Sequence, residues 1–133
     1  MTQDEFVTDW LPAIQETLNK YQHITMKRIN DNLEGSLILN KHSVRSLNRL
    51  LNIGLTENCA ICKVAKTKIV GTHSTCICDF CIYRQGFQNT CTFSTSWLKI
   101  LNSKSKHGLY KAVKARRKWI INFVLENFQI EMK

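Results

Sequence analysis

Residues 59 to 91 read CAICKVAKTKIVGTHSTCICDFCIYRQGFQNTC and contain all six cysteines of the 133-residue chain. Two Cys-x-x-Cys pairs in this stretch are separated by fifteen residues, a spacing typical of structural zinc sites. Two residues between thiolates let one tight turn present both sulfurs to one ion, and two such turns complete a tetrahedral site. The predicted Zn²⁺ ligands are Cys59, Cys62, Cys78 and Cys81, with Cys76, Cys91 and His73 as alternates.

Other chemistries of clustered cysteines remain open beside zinc. Six thiols exceed the need of one ion, so a two-metal cluster with bridging thiolates is an alternative, and four thiolates also suit an iron–sulfur cluster. A three-disulfide framework is disfavoured, because residues 1–5 lack a signal-peptide pattern and no apolar run reaches the ~20 residues that span a bilayer. We therefore expect a cytoplasmic protein with reduced thiols, no membrane association and zinc as the cofactor.

Catalytic motifs are not found in the sequence, and the protein is predicted not to be an enzyme. The four histidines share no ligand spacing, and phosphate loops, nucleophile elbows and paired carboxylates are missing. A thiol redox role is kept as an alternative, although neither cysteine pair follows a predicted strand and opens a predicted helix, as redox dithiols of the thioredoxin kind do.

Helical periodicity surrounds the cysteine stretch on both sides. Apolar residues from Phe6 to Tyr21 recur at helical spacing, with Pro12 either kinking the helix or lying in its first turn. This stripe, including Trp10, is predicted to pack in the core. Further helices are predicted after Ser43, closed by Gly54, and after Thr95 or Ser96. Between the cysteine pairs, residues 63–70 alternate weakly, which suggests a short hairpin in a zinc-ribbon-like layout. The predicted fold is mostly α with a small zinc-knuckle β element, in the order helix, helix, knuckle, helix, helix.

The longest predicted helix runs from about Leu109 to Phe128, with basic residues on one side and apolar residues on the opposite side.

The net charge of +9 is distributed as −3 over residues 1–34 and +12 over residues 35–133, which favours an acidic partner for the later part of the chain. The residues predicted to contact nucleic acid are Lys111, Lys114, Lys118, Arg117, Lys104 and Arg84. An acidic protein surface is the alternative partner.

Two features of this helix do not fit a simple two-sided pattern. Arg116 falls in the middle of the apolar side, where it either pairs with an amino-terminal acid or marks the point at which the helix leaves the core. Ile121, Leu125 and Phe128 lie toward the lysine side, and exposing three such side chains costs apolar burial. We therefore predict that these three residues form a surface for a second copy of the chain or for a protein partner.

The paired cysteines, the later cysteine, Trp97 and the Arg-Arg-Lys-Trp run ending at Trp119 resemble small, uncharacterised cysteine-rich proteins of large bacteriophages. The resemblance covers about residues 57–125. It implies an accessory factor in host takeover, acting in the host cytoplasm, as readily as a nucleic-acid-binding protein, and it carries over no catalytic residue.

Together these patterns predict one domain over residues 1–133, with residues 57–93 as a metal-binding subdomain between helical halves. The predicted function is a non-enzymatic, zinc-stabilised binding or regulatory module whose basic surface contacts nucleic acid. The alternatives are a phage-encoded inhibitor or adaptor that binds a host defence or transcription complex, and a thiol redox protein.

Overall fold

The computed structural model describes residues 2–33, 44–54, 59–73, 80–82 and 95–133. Within these ranges the regular secondary structure is helical and includes no strand, which confirms the predicted mostly α class. The helices, in chain order, are α1 (Gln3–Glu5), a π-helical turn (Phe6–Trp10), α2 (Leu11–Gln22), α3 (Met26–Asn32), α4 (Val44–Leu51), α5 (Ala60–Ile69), α6 (Thr95–Leu101) and α7 (Lys106–Phe128).

The amino-terminal helix accommodates Pro12 through a change of helical type. Thr2 caps α1, and its Oγ1 accepts a hydrogen bond from the backbone N–H of Glu5 at 3.1 Å. Pro12 lies in the first turn of α2, where the missing N–H is tolerated. Just before it, the N–H of Leu11 donates to the carbonyl of Phe6, five residues back. This widened π-turn directly precedes Pro12, whose ring would clash with the backbone of a regular α-helical turn.

The core is formed where α7 packs against α2, α3 and α6, while α5 packs against α2 and the π-turn. The predicted apolar side of α7 is buried, and Trp10 is fully buried as expected. The buried apolar residues of α7 are Leu109, Ala112, Val113, Ile120, Phe123, Val124 and Phe128. Trp119 is half-buried and stacks on Phe123 with ring centroids 5.4 Å apart. Amphipathic periodicity therefore predicted the faces that the two longest helices bury.

The hairpin predicted between the cysteine pairs is wrong in its first strand, because residues 63–69 lie in helix α5. Ala60, Ile61 and Ala65 are its buried residues, and Ile61 and Ala65 are four residues apart, on one helical face. Alanine is the strongest helix former, and the weak alternation of the sequence could not outweigh the burial of this face against α2. The zinc-ribbon-like layout is therefore not found in the part of the chain that the structure describes.

Arg116 lies inside the core, with 1% of its surface exposed. Its Nη1 donates a hydrogen bond to Ser96 Oγ at 3.0 Å, and its guanidinium carbon lies 4.5 Å from the centre of the Trp119 ring. The interpretation that Arg116 marks the point where α7 leaves the core is wrong, since α7 remains buried as far as Phe128. Arg116 instead joins α6 to α7 through its hydrogen bond to Ser96, while its cation–π contact with Trp119 lies within α7.

Candidate metal centre and basic helix

The first cysteine pair lies at the amino terminus of α5. Cys59 is the N-cap residue, with extended backbone angles, and Cys62 lies in the first turn. Cys59 is 9% exposed, whereas Cys62 is half-buried. The three-residue spacing therefore brings the two sulfurs together at one end of a helix, next to backbone N–H groups that have no partner within the helix.

The electrostatics of this helix end favour a negatively charged sulfur. The pKa of the Cys59 thiol is lowered to about 6, first by a hydrogen bond from the Cys62 thiol and then by the backbone N–H groups of Ile61 and Cys62 and the hydroxyl of Thr17. Burial of Cys59 acts in the opposite direction and raises its pKa. The lowering contacts prevail and favour the thiolate form of Cys59, which is the form that binds metal ions.

Helix α2 contributes a side chain to this sulfur. Thr17 is 2% exposed, and its Oγ1 lies 4.0 Å from the Sγ of Cys59. The same hydroxyl donates to the carbonyl of Ala13 at 3.0 Å. The candidate metal ligand is thus held between the first turn of α5 and the buried face of α2.

The other predicted ligands are not gathered around this pair within the described residues. Cys81 is buried and His73 is exposed at the end of a described range. Among the residues that the structure describes, no three His, Cys, Asp or Glu side chains form a group that could hold a metal ion. Cys76, Cys78 and Cys91 lie outside the described residues, so the four-sulfur zinc site stays a prediction supported by the geometry of its first pair.

The position of this pair also bears on the thiol redox alternative. The pair opens helix α5, as redox dithiols do, but no strand precedes it among the described residues; the sequence signal for the helix was the spacing of Ile61 and Ala65. An attacking redox thiolate has to be accessible as well as acidic. Here the sulfur with the lowered pKa belongs to Cys59, the more buried of the two. This burial suits a ligand of a closed metal site better than it suits a nucleophile.

The lysines of α7 form the second candidate site. Lys111, Lys114 and Lys118 are all exposed and recur every three or four residues, so they follow one side of the helix. We call these three residues the lysine row. The Nζ of Lys114 lies 4.9 Å from the centre of the Tyr110 ring. No acidic residue occurs in α7 before Glu126, and the row therefore presents positive charge without compensation from its own helix.

The remaining predicted nucleic-acid contacts lie in different surroundings. Lys104 is exposed and precedes α7, which begins at Lys106. Arg117 is half-buried, and its Nε donates to the backbone carbonyl of Leu18 at 3.3 Å. Arg117 thus ties α7 to α2 in addition to any role at the surface. Arg84 lies outside the described residues.

The predicted partner surface is smaller than the sequence suggested. Phe128 is 9% exposed and stacks on Phe6, with ring centroids 3.7 Å apart and planes 5° from parallel. Phe128 is therefore a core residue and does not belong to an exposed surface. Ile121 is half-buried against the core, and Leu125 is 42% exposed. The sequence could not reveal that the amino-terminal turn supplies the cover for Phe128.

An open groove of about 500 Å³ separates the start of α2 from the carboxyl-terminal segment. Its lining is mostly apolar, and Val7 within it is 42% exposed. The lining residues are Val7, Leu11, Pro12, Gln15, Ile130, Glu131, Met132 and Lys133. Sequence reasoning missed this groove, because it forms only when the two ends of the chain are folded together.

Comparison with protein families, curated proteins and solved structures gave no match to this chain. No helix among the described residues is long and apolar enough to cross a membrane. The cysteine pair and the lysine row, both positioned by the helical core, are therefore the candidate functional sites of this protein.

Proposed function

We propose that this protein is a non-enzymatic, zinc-stabilised module that contacts the phosphate backbone of nucleic acids through the lysine row of α7. The exposed lysine row is the observation that carries the proposal. Its three ammonium groups extend from a helix whose opposite side is buried in the core. A rigid helix holds the charges in a fixed order, so binding requires less ordering of the surface than a flexible basic tail would need.

The spacing of the row suits contacts with phosphates. Lys111 and Lys118 are seven residues apart, which corresponds to about 10 Å along a helix axis. This length corresponds to about three phosphate steps along the axis of one duplex strand. Lysine presents a compact point charge on a flexible stem and lacks the rigid planar fork of arginine, so its contacts with phosphates depend little on geometry. We therefore propose backbone binding with little sequence preference.

In this proposal the zinc ion holds the middle of the chain together. Cys59 and Cys62 would supply two of its sulfur ligands, and the second pair would supply the other two. Metal binding would then contribute folding free energy, because thiolates brought together by one ion restrict the chain that joins them. The proposal assigns no chemical step to the metal, since a site made only of thiolates is closed.

The decisive experiment replaces the lysine row by glutamine and measures nucleic-acid binding over a range of salt concentrations. Fluorescence anisotropy with labelled duplexes of two unrelated sequences, and with a single strand, is a suitable assay. Each lost phosphate contact should reduce the slope of log K against log salt by about 0.9, so the triple variant should lose about 2.7. Affinity should fall to a similar degree for both duplex sequences, because the contacts lie on the backbone.

A matched control replaces three other exposed cations by glutamine, at Arg49, Lys99 and Lys133. This variant has the same net charge as the triple variant but an intact lysine row, so it should retain most of the affinity and the salt dependence of the wild type. Equal losses of affinity in both variants would show that net charge alone accounts for binding. Unchanged binding in the lysine-row variant would show that α7 is not part of the binding surface.

The apolar groove favours a second candidate function, that of an adaptor for another protein. Val7 lines the groove and is 42% exposed, and exposed apolar surface beside a groove is common at protein interfaces. Under this alternative, Val7→Asp should abolish association with the protein partner, while the lysine-row variant should still associate. The proposal of nucleic-acid binding predicts the opposite dependence on these two variants.

A further inference from the structure

The contact between Thr17 and Cys59 is not required by either helix alone. A threonine inside a helix commonly bonds back to the carbonyl four residues earlier, and this accounts for the 3.0 Å bond from Thr17 Oγ1 to Ala13. The 4.0 Å contact with the Cys59 sulfur joins two helices across 42 residues of sequence. Both residues are buried, at 2% and 9% exposure, so water can do little to replace this contact.

The hydroxyl group has one hydrogen and can direct it to only one acceptor at a time. A metal-bound cysteine is a thiolate, which can only accept hydrogen bonds. Turning the hydroxyl toward the sulfur would not leave the Ala13 carbonyl unsatisfied. In an α-helix that carbonyl also accepts the backbone N–H four residues later, which is the N–H of Thr17 itself. The rotation therefore has a small energetic cost, and the buried negative charge gains a donor.

We propose that Thr17 is a positioning residue for the metal centre, whose hydroxyl donates a hydrogen bond to the metal-bound sulfur of Cys59. This inference rests on the metal-binding part of the proposed function. Helix α5 approaches the sulfur with its first backbone amides, and Thr17 adds a donor from α2. The hydroxyl would fix the direction of the sulfur lone pairs and would connect metal binding to the packing of α5 on α2. Outer partners of this kind typically change metal affinity by about 10- to 100-fold.

Two substitutions separate the hydroxyl from the methyl group of Thr17. Thr17→Val keeps the shape and loses the donor, whereas Thr17→Ser keeps the donor and loses the methyl group. We expect Thr17→Val to raise the dissociation constant for zinc by about 10-fold or more in competition with a chromophoric chelator. Thr17→Ser should stay within about threefold of the wild type, which a purely steric role for Thr17 would not produce.

Cobalt substitution gives a second measurement that simple packing would not change. A hydrogen bond to a thiolate stabilises the sulfur electrons, so the sulfur-to-cobalt charge-transfer band of Thr17→Val should move to lower energy than that of the wild type. The band of Thr17→Ser should remain in place. Thermal unfolding of the metal-free variants controls for loss of the fold.

The outcomes distinguish this inference from the proposal on which it rests. Equal zinc affinity and equal cobalt spectra for Thr17→Val and the wild type would overturn the role of Thr17, while the zinc site would stand. A wild-type protein that binds neither metal would overturn both. Loss of nucleic-acid binding in the lysine-row variant tests α7 separately and is independent of Thr17.

Discussion

Phe128 and Leu125 offer a sharp test of how the two ends of the chain are packed. Both are apolar residues at the end of α7 and lie three residues apart, so their sequence surroundings are nearly the same. Phe128 is 9% exposed and stacked on Phe6, whereas Leu125 is 42% exposed. We predict that Phe128→Ala destabilises the protein strongly and that the matched substitution Leu125→Ala does so only slightly.

The expected magnitudes follow from burial. Truncation of a buried phenylalanine to alanine typically costs about 3–5 kcal/mol, including the cavity that is left. Complete burial of a leucine contributes about 1.5–3 kcal/mol, so a side chain with 42% exposure should contribute about 1 kcal/mol. At 133 residues, 1 kcal/mol corresponds to roughly 3–4 °C in Tm. Phe128→Ala should therefore lower Tm by roughly 10–18 °C, and Leu125→Ala by about 4 °C.

Urea unfolding followed by circular dichroism gives the free energies, and a thermal scan gives Tm. A double-mutant cycle of Phe6→Leu and Phe128→Leu isolates the ring contact, which should contribute about 0.5–1.5 kcal/mol. The packing argument is refuted if Phe128→Ala costs no more than Leu125→Ala. A large, concentration-dependent loss for Leu125→Ala would instead show that a second copy of the chain covers Leu125 in solution.

Three further predictions concern the cap of α7 and the cysteine pair. Ser105 Oγ accepts the N–H of Gly108 at 2.9 Å, so Ser105→Ala should cost about 1 kcal/mol in urea unfolding and Ser105→Asp should retain most of the stability. In metal-free protein, the folded-state pKa of Cys59 is about 6, below the ordinary value of 9.0. The thiolate should therefore add to the free energy of unfolding, fully above pH 9 and no longer once the pH has fallen through 6. Cys59→Ser should flatten this pH dependence of stability between pH 6 and 9. Metal analysis should find about one zinc per chain, and this zinc should be lost in Cys62→Ser and retained in Cys91→Ser. Removal of zinc with a chelator should lower Tm. Disulfide-bonded cysteines without bound metal would contradict this prediction.

Local sequence patterns were sufficient to predict much of the helical structure. The stripe from Phe6 to Tyr21 predicted α2 and the burial of Trp10, and α4 and α6 lie where turn and cap residues placed them. Helix α3 was missed, although Thr25 caps it by accepting the N–H of Arg28 at 3.2 Å. Its seven residues carry too short an apolar pattern for periodicity to be recognised. Helix α7 begins earlier than predicted, because Ser105 rather than a later residue caps it.

The sequence by itself determined which segments are amphipathic, where the positive charge is concentrated and where the two Cys-x-x-Cys pairs lie, because these properties depend on residue type and spacing alone. Only the tertiary structure decided that Cys59 starts a helix, that Thr17 reaches its sulfur and that Phe6 covers Phe128. Each of these features joins residues distant in sequence, and the burial of apolar surface between helices selects among the conformations that local propensity leaves nearly equal in free energy.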